Sequence, residues 1–435
     1  GAYQALCVAT DTLERAGLKA AQGLAPVDLA ELTTRLKRYA PTSTGLAVLD
    51  GLATATGDRR GQRAADAAGW RAALLLLPPT PSPAALAVKR DEYAADLAAG
   101  SSPAAGTGRF FEPPRTTCPW CGAAALERRL RAVDLVQAKP GTFRYDRCRA
   151  CAHVFQNPRL SPAGLEFYYR DFYDGLGEAR MEALFGAGAG PYRSRAGLVA
   201  RSAAPRTWLD VGGGHGHFCL IARETWPETR FDALDQGAGI VEAHRRGWVD
   251  DIYRGEFPAL AGELAGRYDV VSMFHYLEHV RDPFAELDAA REVVRPGGHL
   301  VIEVPNIESL SASLVGQAWA GWLVPQHQHM IPMDNLLAAL AERSFTPVTA
   351  SFGDSLPGGP GGLAVYFHLN RWFPDPTLPW RPASHQKIRK VARGAAFAAA
   401  VPAMVAAAAG DLALTPLRRS GRRADVYRVV ARRDA

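Results

Sequence analysis

Through the first 76 residues, Leu13, Leu18, Leu24, Leu29, Leu32 and Leu36 recur at helix-like spacing between Asp, Arg and Lys. The spacing predicts amphipathic helices, roughly four of them, divided at Gly45, Gly51 and Gly57. Pro78, Pro79, Pro81 and Pro83 then punctuate the chain. From Thr207 the pattern changes to short runs of β-formers at 207–211, 230–234, 268–273 and 300–304, with helical spacing between them. Strands alternating with helices predict a parallel, doubly wound α/β sheet. Residues 345–352 read as another strand and 424–431 as a late edge strand. The segment 394–410 is mostly Ala, falls short of the roughly 20 strongly apolar residues that span a bilayer, and contains Pro402. It predicts a buried or interfacial helix pair hinged at that proline. The alternative is contact with a membrane surface, helped by the neighbouring Arg and Lys.

Composition narrows this picture little and charge narrows it more. At 435 residues, 48% hydrophobic and 22% charged, the chain has room for several domains and is neither disordered nor collagenous. Its net +6 leaves nucleic acid, anionic membranes and acidic substrates open. From Arg381 onward, however, 12 Lys and Arg stand against 3 Asp and Glu, so a +9 tail follows a body of −3. Six cysteines in so long a chain form no disulfide framework. Residues 1–20 mix Asp11, Glu14, Arg15 and Lys19 into an Ala-rich pattern unlike a signal peptide, so a cytoplasmic protein without a membrane span is expected.

Four of those cysteines are paired. Cys118-Pro-Trp-Cys121 and Cys148-Arg-Ala-Cys151 are two C-x2-C turns with 26 residues between them. Two such turns complete a tetrahedral S4 site for Zn²⁺ that leaves no open position, hence a structural metal. A module of this kind grips nucleic acid, packs against a neighbour or walls a substrate site. Few Lys or Arg interleave with aromatics here, which argues against the first.

The first strand of the α/β region runs through Asp210 into Gly212, Gly214 and Gly216, then into a helical run. These glycines let the backbone turn sharply and approach a ligand closely. Asp235 closes the next strand about twenty residues on, placed to accept hydrogen bonds from ribose hydroxyls. The loop, DVGGGHG, departs from the dinucleotide fingerprint G-x-G-x-x-G.

LDVGGGHGHF, the strand-end Asp235, YDVVSMFHYLEHVRDP and VVRPGGHLVIEVPN, in that order, resemble class I S-adenosylmethionine-dependent methyltransferases over about residues 205–350. The cysteine quartet followed by FYYRDFY resembles the zinc-binding N-terminal module of bacterial small-molecule methyltransferases, including sugar C-methyltransferases. The resemblance implies a Rossmann-like seven-stranded sheet with its last strand antiparallel. It also implies that Gly212, Gly214 and Gly216 cradle the methionine part of S-adenosylmethionine, that Asp210 orients that loop or the amino group, and that Asp235 binds the ribose. Gln236 then flanks the adenine, and Glu256 sits near the adenine amine.

His275-Tyr276-Leu277-Glu278-His279 follows the fourth strand, at the sheet edge where such folds bind ligands. Methyl transfer needs an acceptor that is positioned and deprotonated. His279 is the first choice of base and His275 the second, with Glu278 orienting the base and Tyr276 holding the acceptor or an enolate oxygen. The segment also resembles the E-x-x-E-H run of ubiquinone-type O-methyltransferases, which is associated with a divalent cation, although His275 replaces the first acid. A purely structural role for the segment is the remaining alternative. His327, in Pro325-Gln-His-Gln-His329, is either a structural, hydrogen-bonded histidine or a group that shuttles a proton or binds the acceptor, and Tyr168, Tyr169 and Tyr173 either pack in an aromatic core or cap the pocket.

The expected layout is a helical N-terminal domain over 1–105, a zinc-binding module over 106–160, a helical linker or cap over 161–200, the methyltransferase core over 201–353, and a C-terminal insertion with the final strand over 354–435. The expected reaction is methylation of carbon or oxygen on a small-molecule, natural-product acceptor, and the N-terminal helices either form a homodimer or bind a partner, or are a plain packing extension. An RNA methyltransferase that grips RNA through the zinc ribbon is the alternative. Against it, no N/D-P-P-Y/F sequence follows the fourth strand.

Overall fold

The computed structural model describes residues 83–99, 108–172, 189–199, 204–353, 359–381 and 384–435. The helices expected before residue 77, Cys7 and Tyr173 lie outside the described residues, and with them the expected dimer surface. Of the N-terminal segment, the helix Pro83–Ala98 is described, and its Tyr93 is fully buried against Phe167 and Trp380.

A small antiparallel sheet is built from β1 (Leu126–Ala132), β2 (Phe143–Cys148) and β3 (Val154–Gln156). The large sheet takes β4 (Thr207–Val211), β5 (Arg230–Asp235), β6 (Ile252–Arg254), β7 (Tyr268–Phe274) and β8 (Val294–Pro305). The two-residue β9 (His329–Met330) returns to the small sheet, whose order is β1-β2-β3-β9. β10 (Phe345–Gly353) and β11 (Val426–Arg433) complete the large sheet in the order β10-β11-β8-β7-β4-β5-β6. The strands β8, β7, β4, β5 and β6 pair in parallel, and β11 runs antiparallel to both its neighbours.

The expected α/β sheet is therefore present, with one correction. β11 is not an edge strand: Val429 pairs with Ile302 of β8 on one side and Ala350 of β10 on the other. Its run Val426 to Ala431 is buried throughout, as a strand covered on both faces and both edges requires. The edge belongs to β10, and the core sheet takes in a strand beyond residue 353.

Strand periodicity divides the core into two layers. Leu209, Val211, Val271, Met273, Leu300 and Ile302 face the helices Pro283–Val293 and Met333–Ala341 through Leu287, Val293, Leu336 and Leu340. Trp208, Val270, Val301 and Val430 face the opposite layer, with Phe218 and Ala222 of the helix His217–Thr225. Pro283–Val293 starts sharply because Asp282 accepts from the amides of Phe284 and Ala285 at 3.0 and 3.2 Å, with Pro283 in the first turn. That cap ends the HYLEHVRD segment and fixes its course.

The Ala-rich segment forms two helices, Gln386–Ala399 and Val401–Arg418, bent by 45° with Pro402 in the first turn of the second. The hinge lies where the proline predicts it. Burial does not follow: the first helix buries no residue and the second only Asp411 and Arg418. Among the described residues no single helix is long and apolar enough to cross a membrane.

Candidate active site

The glycine loop leaves β4 with left-handed backbone at Gly212 (φ 75°), Gly214 (φ 53°) and Gly216 (φ 73°), a conformation that disfavours any side chain. A Cβ on Gly212 would sit 2.6 Å from the Tyr276 ring, whereas one on Gly214 would meet nothing within 4 Å. At Gly214 the loop therefore presents bare backbone toward open space, as a ligand cradle needs, whereas Gly216 packs against Ala243. Asp235 is held beside it: one carboxylate oxygen accepts from Gly214 N at 2.9 Å and the other from Gly237 N at 2.7 Å. Each oxygen keeps a lone pair, enough for a pair of ribose hydroxyls. Asp210 is buried and accepts from Ser272 Oγ at 2.5 Å, which itself accepts from Trp208 Nε1 at 2.9 Å. Burial raises the Asp210 carboxyl to about 7, against the hydrogen bond from Ser272. Gln236 and Glu256 are exposed at the rim.

The HYLEH segment separates into two faces. Tyr276 lies over Gly212 and donates to Glu286 at 3.0 Å, so its hydroxyl is engaged on the glycine-loop side. The expectation that it holds the acceptor is corrected accordingly. His275 has both ring nitrogens occupied by carboxylates, Nδ1 by Glu278 at 2.9 Å and Nε2 by Glu303 at 3.1 Å. Burial alone would lower this ring, but hydrogen bonds to the two acids hold it up to about 9. It is a cationic strut rather than a proton acceptor, which removes it as second choice of base. Glu303, fully buried in β8, also pairs with Arg195 and Arg428. Burial opposes its charge, yet these cations hold its carboxyl well below the usual range.

His279 and His327 lie on the other face, ring centroids 4.4 Å apart. His279 Nδ1 is 2.7 Å from Tyr169 Oη, and burial lowers its basicity below an ordinary histidine. His327 Nδ1 is 2.7 Å from the carbonyl of Gly321, which only accepts, so Nδ1 carries the proton and Nε2 is an acceptor. That Nε2 faces Glu278 Oε1 at 3.8 Å, and Glu278 Oε2 is buried without a partner. Burial, then the proximity of His279, lowers His327 to about 3. The result is a largely buried cluster rich in acceptors, with His279 partly exposed, in which ligand atoms of Glu278, His279 and His327 all lie within 4.8 Å of one another.

The cysteine module walls this cluster. Cys118 Sγ is 3.7 Å from Cys151 Sγ and Cys121 Sγ is 3.6 Å from Cys148 Sγ. Four thiolates at about 2.3 Å from one zinc stand roughly 3.8 Å apart, so the quartet matches a tetrahedral site and not a disulfide pair. Its strands continue into the histidine loop. Phe155 pairs with His329, Gln156 N donates to Gln328 O at 2.9 Å, and Tyr145 donates to the His327 carbonyl at 2.6 Å. Trp120, between the first two cysteines, packs on Phe284 at 4.6 Å.

Of the expected site residues, the structure thus groups Gly212, Gly214, Asp235 and Tyr276 on one side and Glu278, His279 and His327 on the other. Tyr169 joins the second group; Tyr168 is buried instead, donating to Pro140 O at 2.7 Å. Arg195, Glu303 and Arg428 went unnoticed in the sequence. A charge inside the apolar run of β8 was their signal, since a buried acid needs partners.

The comparisons with known proteins agree with the resemblance to class I S-adenosylmethionine-dependent methyltransferases. Residues 188–350 match the family model described as a methyltransferase domain. The ubiquinone biosynthesis O-methyltransferase of Paraburkholderia xenovorans is 29% identical over 129 residues, covering 28% of this chain and 56% of that protein. The enzyme of the same name from Cereibacter sphaeroides is 34% identical over 152 residues, covering 32% and 60%. The chain spans about half the length of the curated relatives it matches. A solved S-adenosylmethionine-dependent methyltransferase of Archaeoglobus fulgidus aligns over 58% of this chain and 97% of its own, at 16% identity and TM-score 0.37.

Proposed function

We propose that this chain transfers a methyl group from S-adenosylmethionine to an oxygen or carbon of a small-molecule, natural-product acceptor, with His279 as general base. The observation that carries the reading is the acceptor-rich cluster of His327 with Glu278 and His279, which belong to the segment whose Tyr276 lies against Gly212 of the glycine loop. When bound, S-adenosylmethionine supplies an electrophilic methyl group on a sulfonium. Gly212, Gly214 and Gly216 would hold its methionine part and Asp235 its ribose, while Tyr276 closes the floor over Gly212. Glu278 and His327 accept hydrogen bonds from the acceptor and orient it. His279, kept neutral by burial, takes the proton that the acceptor loses as its lone pair bonds the methyl carbon. Tyr169 fixes the imidazole plane. The four cysteines would hold a structural Zn²⁺ that braces the His327 loop.

His279→Ala is expected to lower turnover by about 10²–10⁴-fold while calorimetric affinity for S-adenosylhomocysteine stays unchanged. Full turnover in the variant refutes the base assignment, and failure of the native chain to bind S-adenosylhomocysteine refutes the whole reading. The second reading is a divalent cation on Glu278, His279 and His327, favoured by the convergence of their donor atoms within 4.8 Å. It would polarise the acceptor oxygen in place of a base, and metal-dependent turnover after chelation and re-addition selects it.

A further inference from the structure

We infer that the bent helix pair Gln386–Ala399 and Val401–Arg418 is a docking surface for an anionic lipid bilayer. Its second helix reverses the usual arrangement of a surface helix. Asp411 and Arg418 point inward, and every exposed position is Val, Leu, Ala, Pro or Gly. Leu412 is 76% exposed and Val405 64%. The rotation is fixed from inside, because Asp411 accepts from Gly361 N at 3.0 Å and Gly362 N at 3.2 Å, and Arg418 pairs with Asp425 at 3.4 Å. The apolar face therefore cannot roll inward without leaving two charges unpaired. Large exposed apolar patches on otherwise polar surfaces mark interaction sites.

Charge selects the occupant. The adjoining helix carries Lys387, Arg389, Lys390 and Arg393, and no Asp or Glu occurs between Asp375 and Asp411. Among the described residues no ion pair joins Lys387, Arg389 or Lys390 to an acid. Ile388 and Val391 are exposed on the same helix, and Arg393 ties it to the carbonyl of Phe373 beside the exposed Trp372. Unpaired cations, adjacent apolar side chains and an exposed tryptophan are what an interfacial element offers to anionic headgroups and the acyl boundary. A second copy of the chain would bring the same unneutralised cations to the same face, and they would repel.

The test is co-sedimentation of the full chain with vesicles of phosphatidylglycerol and phosphatidylcholine, against phosphatidylcholine alone. Binding is expected to the first, weakly to the second, and to fall with added salt. Val405→Asp with Leu412→Asp should cut partitioning roughly tenfold or more. Lys387→Gln, Arg389→Gln and Lys390→Gln should each cost about fivefold. All these positions are exposed, and unchanged circular dichroism and S-adenosylhomocysteine affinity check the fold. Native chain left in the supernatant with the anionic vesicles overturns the inference. So does aspartate-variant binding equal to native, or a native dimer that those aspartates dissociate.

Discussion

His275→Gln isolates the strut beneath the HYLEH turn. Glu303 would keep Arg195 and Arg428, so the loss falls on Glu278, whose Oε2 has no partner and whose Oε1 then faces only the neutral His327 at 3.8 Å. Raising the imidazole from 6.5 to about 9 corresponds to roughly 3 kcal/mol. Breaking a buried pair and stranding one charge costs about 3–5 kcal/mol. The His275 side chain is 28% exposed, so about 2–3 kcal/mol is expected. The sign follows from both groups. A histidine raised in the fold contributes fully below 6.5 and loses its contribution as pH climbs through about 9. Glu278, which burial would raise but His275 lowers beneath 4.5, contributes above that value and loses it in acid. The gap between native and variant is thus widest between 4.5 and 6.5 and closes toward 9. Urea denaturation followed by tryptophan fluorescence across that range measures it. A gap below about 0.5 kcal/mol, or one flat through pH 9, refutes the strut.

Asp235→Ala removes a carboxylate that would bond ribose, and S-adenosylhomocysteine affinity should fall about 10–100-fold by calorimetry with the melting curve little changed; undiminished affinity refutes the placement. Gly212→Ala puts a methyl 2.6 Å from the Tyr276 ring at φ 75°, so stability should drop by about 1–2 kcal/mol in denaturant titration. Adding Tyr276→Ala should recover part of it, and strict additivity would deny the clash. Cys148→Ser should abolish binding of one equivalent of zinc by elemental analysis. Turnover should fall with it through the loosened His327 loop, while cofactor affinity persists, and unaltered zinc content and turnover would count against the bracing role.

Much of this was legible in the sequence because it is local. Strands β4, β5, β7 and β8 announce themselves by apolar runs, the glycine loop by its spacing, and the quartet by two short turns. What stayed hidden is long-range. Nothing in HYLEH tells which histidine has both ring nitrogens on carboxylates, since the second acid is Glu303, brought in from β8. Likewise β9 spans two residues, too few for any periodicity, yet it ties the cysteine module to His327. The misplacing of β11 has the same origin: its uninterrupted burial reflects neighbours on both edges, which no single strand's pattern reports.

The interior position of β11 bears on the order of assembly. β10 touches the sheet only through β11, and residues 354–425 separate the two in the chain. Until β11 emerges from the ribosome, β8 exposes an unpaired edge and β10 has no strand to join, so the nascent sheet is open to mispairing. Closure is a long-range, late event of the kind that slows folding. The buried Glu303 completes its ring of partners only then, when Arg428 arrives with the inserted strand.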